Sequence, residues 1–116
     1  MGGVDTCKRG REAEMLAACF LEHRGLRVTV RNYRCSRGEL DLVAQEGLIL
    51  VFVEVRLRTG GHAADSLDAR KCRYWVRAAR HYLAHCAPGM PICRFDAIFV
   101  DGQTGLLEWR RDVIWL

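Results

Sequence analysis

The chain has 116 residues, half of them hydrophobic and 28% charged, with a net charge of +4. That composition suits one globular domain and excludes a disordered chain. No apolar run approaches the ~20 residues of a membrane-spanning helix, which excludes a helical membrane protein.

The N-terminal stretch Met1 to Arg11 is polar and charged, without a signal-peptide core, and predicts a cytoplasmic location. The six cysteines, at positions 7, 19, 35, 72, 86 and 93, form no C-x-x-C pair, and no histidine stands at zinc-finger spacing. They are read as free, mostly buried thiols. The positive charge is carried almost wholly by arginine, since Lys8 and Lys71 are the lysines. The planar guanidinium fork suits phosphate and carboxylate partners.

In chain order, residues 9–24 have a helical stripe at Ala13, Leu16, Ala17 and Phe20, with Gly25 as the stop. Residues 26–34 alternate as a half-buried strand. After an Arg37-Gly38 break, residues 39–45 alternate again. Leu40, Leu42 and Ala44 are expected on one face, and Glu39, Asp41 and Val43 on the other. Glu46-Gly47 signals a tight turn, so the next strand, 48–57, pairs back as an antiparallel hairpin. Its six leading apolar residues predict a central strand buried on both faces.

Residues 59–64 read as a loop. A helix over about 66–86 follows, with Asp65 as N-cap, Asp68 supporting its first turn, and a stripe of Cys72, Trp75, Ala79, Leu83 and Cys86. Pro88-Gly89 and Pro91 end it. Residues 92–100 form another strand, Asp101-Gly102 turns the chain, and 105–110 pairs back. The order α-β-β-β-α-β-(β) is an α/β fold, a mixed sheet covered by helices.

The chemistry concentrates in Gly38-Glu39-Leu40-Asp41-Leu42 and Val53-Glu54-Val55-Arg56. Glu54 and Arg56, two apart on a strand, share a face. Hairpin geometry brings Asp41 on the preceding strand within cross-strand reach of Glu54. Two acids held close repel unless a cation joins them, and Mg²⁺, or Mn²⁺ in its place, is the natural one. Such an ion activates water and neutralises a phosphodiester. Spacing alone leaves a second reading open, of two exposed strand-end acids paired with Arg56 or Arg58.

These residues resemble a known family. Gly10-Arg11-Glu12-Ala13-Glu14, Arg31-Asn32-Tyr33-Arg34-Cys35, Gly38 to Val43 and Val51 to Arg56 are similar to the YraN-like family, uncharacterised protein family 0102. Arg58, Lys71, Ala79, Tyr82-Leu83 and Arg94-Phe95-Asp96 extend the likeness. That family falls in the PD-(D/E)XK superfamily and is similar to archaeal Holliday-junction resolvases. The resemblance covers roughly residues 9–100 and implies a restriction-endonuclease-like fold. The chain reads as one domain over 1–116, and its C-terminal strand and tail, 101–116, depart from what the family leads one to expect. The resemblance also implies Asp41, Glu54 and the Val55 carbonyl as metal ligands. Glu14 would complete the site, and Arg56 would stand where the motif has a catalytic lysine. Arginine keeps the charge but is no base, so Arg56 departs from the motif. A nucleic-acid partner follows, DNA more than RNA, and by analogy a homodimer.

Arg70, Arg73, Arg77 and Arg80 recur along one helix face, with Lys71 and His81 beside them. With Arg37 and Arg58 they could track a phosphate backbone, although a charge run is usually a solvated face. Glu39 either supports the metal ligands from behind or belongs to the turn. His62 is an alternative base or an exposed loop residue. Trp75 and Tyr82 read as core, and Trp109 and Trp115 as closing a sheet edge or meeting a partner. Three functions compete: a metal-dependent nuclease, a nucleic-acid-binding module without turnover, and a protein-interaction domain.

Overall fold

A computed structural model describes residues 6–36, 38–58 and 69–114. Two helices and five strands follow in the order α1 (Thr6–His23), β1 (Arg27–Cys35), β2 (Gly38–Glu46), β3 (Ile49–Arg58), α2 (Ala69–Cys86), β4 (Cys93–Asp101) and β5 (Leu107–Arg110). The strands lie side by side in sequence order. β1, β2 and β3 form an antiparallel meander, β4 runs parallel to β3, and β5 returns antiparallel. This α/β mixed sheet flanked by helices is the one expected of a restriction-endonuclease-like domain. Among the described residues no helix is long and apolar enough to cross a membrane.

The topology follows from local chemistry. Gly47, at φ 59°, makes the two-residue turn between β2 and β3, where only a residue without Cβ enters freely. The parallel β3–β4 pair needs a crossover, and α2 lies on that path. Asp101 turns the chain toward β5 by accepting the Gln103 and Thr104 N–H groups at 2.8 and 3.0 Å.

The sheet separates two cores. Ala13, Ala17, Ala18 and Leu21 of α1 pack on Leu42, Ala44, Val51, Val53, Ile98 and Val100. Trp75, Ala78, Ala79 and Tyr82 of α2 cover Leu40, Val43, Leu50, Phe52 and Phe95 on the other face. There the rings of Phe52, Phe95, Trp75 and Tyr82 meet with centroids 5.3–5.9 Å apart. Each such pair adds ~0.5–1.5 kcal/mol beyond its buried area. β3 is buried on both faces at Val51, Phe52 and Val53, as its apolar run predicts.

Three expectations from periodicity need correction. Leu16 is 47% exposed; the buried stripe of α1 runs through Ala13, Ala17, Ala18 and Leu21 instead. Cys86, at the end of α2, is exposed and lies off the buried stripe. Leu40 does not share a face with Leu42 and Ala44, but packs with Val43 under α2. The alternation of β2 changes phase at Asp41. Its neighbour across the ladder in β1, Asn32, adopts a left-handed φ of 56° between the Arg31–Leu42 and Tyr33–Leu40 pairs. Period-two counting assumes an unbroken pleat, and here the pleat is broken. The loop 59–64, the helix start with Asp65 and Asp68, and Trp115 lie outside the described residues.

The C-terminal segment is clamped by Asp96, which is fully buried. Its carboxylate accepts from Arg94 Nε at 3.0 Å, Trp109 Nε1 at 3.0 Å and the Asp112 N–H at 2.9 Å. Arg94 also donates to Glu46 at 2.6 Å, and Val113 N–H to the Phe95 carbonyl at 2.7 Å. Trp109 thus closes the sheet edge, edge-on to Phe20 of α1. A buried charge is tolerated only with its donors satisfied. Asp96→Ala leaves Trp109 Nε1 and the Asp112 N–H without their acceptor and Arg94 with Glu46 alone. Urea unfolding is expected to register a loss of ~3–5 kcal/mol for it, whereas an unchanged midpoint would show that the clamp is unimportant.

Candidate active site

β2 and β3 pair from Glu46–Ile49 to Leu42–Val53 and no further, though both strands continue. Beyond that point β2 stays with β1, β3 stays with β4, and the sheet forks. Asp41 sits in the crotch. Its Oδ2 accepts the Val55 N–H at 2.8 Å, the contact that an unbroken ladder would have supplied from the β2 backbone. In an extended strand a residue's N–H and C=O point to the same side, as the reciprocal bonds of an antiparallel pair require. The Val55 carbonyl is therefore directed into the same gap.

Glu54 enters the gap from β3, hydrogen bonded to Asp41 and ion-paired with Arg56 at 3.7 Å. Glu14 reaches it from α1, bonded to Asn32 and Asp41. It stands three, four and seven residues before Ala17, Ala18 and Leu21, on the face that packs against the sheet. The left-handed turn at Asn32 has a purpose here. The residue whose backbone breaks the pleat also offers its amide to Glu14.

Burial and mutual repulsion set the protonation. The Asp41 carboxyl is pushed up to about 8, first by desolvation and then by the Glu54 charge, against the pull of the Val55 N–H. Glu54 is raised by desolvation, opposed by its bond to Asp41 and by Arg56 and Lys71. Glu14 is raised by desolvation and by Asp41. Asp41 therefore holds a proton near neutrality and donates it to Glu54. Glu39, two residues before Asp41, adds repulsion to all three acids.

Glu14, Asp41, Glu54, Val55 and Arg56 are thus brought together, with Glu39 at the margin. The reading of Asp41 as an exposed strand-end acid fails, since it is only 7% exposed. Arg58 lies apart at the far end of β3, bonded to Glu108 at 2.5 Å and stacked over Phe99. Arg70, Arg73 and Arg77 are exposed on the outer side of α2. His81, expected beside that basic face, is instead hydrogen bonded to the Tyr33 hydroxyl and stacked on His85. Arg37 and His62 lie outside the described residues. Sequence reasoning gave no site role to Asn32 or Lys71. For Asn32 the signal was the residue type alone, since asparagine tolerates a left-handed φ better than most side-chain-bearing residues. For Lys71 the signal was its spacing four residues before Trp75, which turns it toward the sheet face that holds Glu54.

The fold and the forked sheet define a small α/β domain with a buried acidic pair where two strands part. The chain belongs to the uncharacterised protein family UPF0102, whose model matches residues 13–100. Similar members include a protein of Dechloromonas aromatica, 50% identical over 90% of this chain and 86% of its own length. Another, from Nitrosomonas eutropha, is 46% identical over 90% of each chain. A Pseudomonas syringae relative is 47% identical over 83% of this chain and 81% of its own.

A carboxyl whose folded pKa lies above its unfolded value keeps its proton in the native state after the unfolded chain has lost it. The native state then binds more protons, and stability falls as pH rises from about 4 to about 8. Asp41→Asn removes that penalty while its amide oxygen still accepts the Val55 N–H. In the absence of divalent cations the variant is expected to be more stable than the parent at pH 8, by ~1–2 kcal/mol. The gain should vanish near pH 4. A variant less stable than the parent at pH 8 would refute the buried, proton-holding site.

Proposed function

We propose that this protein is a metal-dependent nuclease that hydrolyses phosphodiesters of DNA or another structured nucleic acid. The observation that carries the reading is the Asp41–Glu54 pair in the fork, with the Val55 carbonyl directed into the same gap. Three oxygen donors meet where repulsion makes ionisation of both acids costly. A divalent cation relieves that cost better than a proton does.

The donor set fits Mg²⁺ or Mn²⁺. Among the described residues no three His, Cys, Asp or Glu side chains are grouped to hold a metal by themselves. That leaves two carboxylates, a backbone carbonyl and water, the mixed oxygen set that Mg²⁺ accepts. When bound, the ion supplies charge neutralisation on the phosphate and an acidified water. Asp41 and Glu54 hold it, and Glu14 keeps Asp41 in place. Arg56 offers its fork to a phosphate oxygen and stabilises developing negative charge.

The observation that favours a second reading, a binding module without turnover, is Arg56 itself. It cannot take a proton from water. Lys71, whose charge reaches Glu54 from the first turn of α2, is a lysine near the site that tempers this objection.

The test is incubation with labelled duplex, single-stranded and four-way-junction DNA, and RNA, in Mg²⁺, Mn²⁺ and EDTA. Cleavage that needs metal and falls at least ~100-fold in both Asp41→Ala and Glu54→Ala is expected. Arg56→Lys should then speed it ~10-fold or more, by restoring a group able to handle a proton. Salt-sensitive binding without cleavage in any metal would replace the nuclease by the binding module. Neither binding nor cleavage would end both readings.

Metal should also reverse the pH penalty. At about 100 times its Kd, Mg²⁺ is expected to add ~2.7 kcal/mol to thermal stability near neutral pH. Asp41→Asn should lose most of that increment. A parent melting curve indifferent to Mg²⁺ and Mn²⁺ would count against the cation.

A further inference from the structure

Beside the fork lies a cleft of about 430 Å³ that the catalytic reading leaves unused, between the β1–β2 turn and α2. Arg34, Cys35 and Gly38 line it from the hairpin, and Tyr74 and Arg77 from the helix. Its shape is set by one close approach. A Cβ on Gly38 would lie 2.7 Å from the Tyr74 carbonyl oxygen, so glycine alone lets the helix seat this near the turn. Glu39 lines the cleft and stands two residues from Asp41, so the cleft adjoins the acidic site.

The lining has the chemistry of nucleotide recognition. Tyr74 is 47% exposed, a large ring left in water on a helix whose other aromatics are buried. The Arg77 guanidinium lies 6.0 Å from the ring centroid. On the opposite wall Arg34 is tied to Glu39 at 3.4 Å, through side chains that both remain largely in solvent. Exposed pairs of this kind contribute little and exchange readily for a stronger anion. The volume lies within the range of small-ligand pockets. An aromatic platform flanked by two guanidiniums is how sequence-tolerant binding of unpaired strands is built, with the base stacked and the backbone held by charge.

We infer that this cleft is a subsite for one unpaired nucleotide, with the Tyr74 ring stacking its base and Arg34 and Arg77 holding its phosphates. The inference rests on the nucleic-acid reading above and narrows it. The preferred substrate has a single-stranded or splayed nucleotide next to the phosphodiester at the fork. A base still stacked in duplex has no free face to offer the exposed Tyr74 ring, so stacking there needs a base out of the helix.

The experiment is fluorescence anisotropy in EDTA with the full chain, using labelled oligothymidylate and a matched blunt duplex as probes. Tyr74→Ala is expected to weaken oligothymidylate binding about tenfold and to leave duplex binding within about twofold, while Tyr74→Phe, which keeps the ring, binds like the parent. Arg34→Ala combined with Arg77→Ala should flatten the salt dependence for oligothymidylate. Unchanged binding in Tyr74→Ala, equal loss for both probes, or no oligothymidylate binding by the parent would each overturn the subsite. Cleavage is scored separately in Mg²⁺. Asp41-dependent cleavage with no effect of Tyr74→Ala keeps the nuclease and removes the subsite. Tyr74-dependent binding with no cleavage in any metal keeps the subsite and removes the nuclease.

Discussion

The hydrogen bond from Val55 N–H to the Asp41 carboxyl is the contact on which the rest of the site depends. Two strands that part leave backbone groups without partners, and an unpaired N–H inside a protein costs as much as a lost hydrogen bond. Here a side chain from the departing strand takes over the duty of the missing backbone. The fork is thereby stable without closing. It leaves between β2 and β3 a gap that a continuous ladder would have closed with backbone hydrogen bonds.

The cost of that arrangement is electrostatic. Asp41 is buried among Glu14, Glu54 and the more distant Glu39, and each neighbour makes its ionisation harder. Burial of this sort is the opposite of what stability selects, and perturbed carboxyls in a gap are typical of sites kept for chemistry. The stabilising features lie elsewhere. The aromatic layer under α2 and the Asp96 clamp fix the sheet on either side of the fork. Strain and repulsion at the centre are carried by a rigid frame.

Much of this was legible in the amino-acid pattern. The element order, the β2–β3 hairpin and the buried centre of β3 follow from period-two and period-3.6 hydrophobicity and from Gly47. Asp41 and Glu54 were placed near each other by counting from that turn. What escaped was what a regular pleat cannot encode. The phase change that moves Leu40 to the α2 side accompanies Asn32 adopting φ 56°, a tertiary outcome that an asparagine permits but does not dictate. The exposure of Leu16 depends on how far α1 is rotated about its axis, and two candidate stripes overlapped in sequence. The Asp96 clamp joins residues 13 and 16 positions apart, beyond any short-range pattern.

The sheet order leaves β1 as an outer strand, while the tail residues Asp112 and Val113 run along the start of β4, where β5 does not reach. The sheet therefore ends on β1 at one side and on the shorter β5, continued by the tail, at the other. On β1, Arg27, Arg31 and Arg34 are all solvent-exposed. A second copy approaching to extend the sheet would bring these guanidiniums against an identical set. Charged edges of this kind are how natural sheets resist growth into aggregates. A pair formed by extending the sheet through β1 would have to overcome that repulsion.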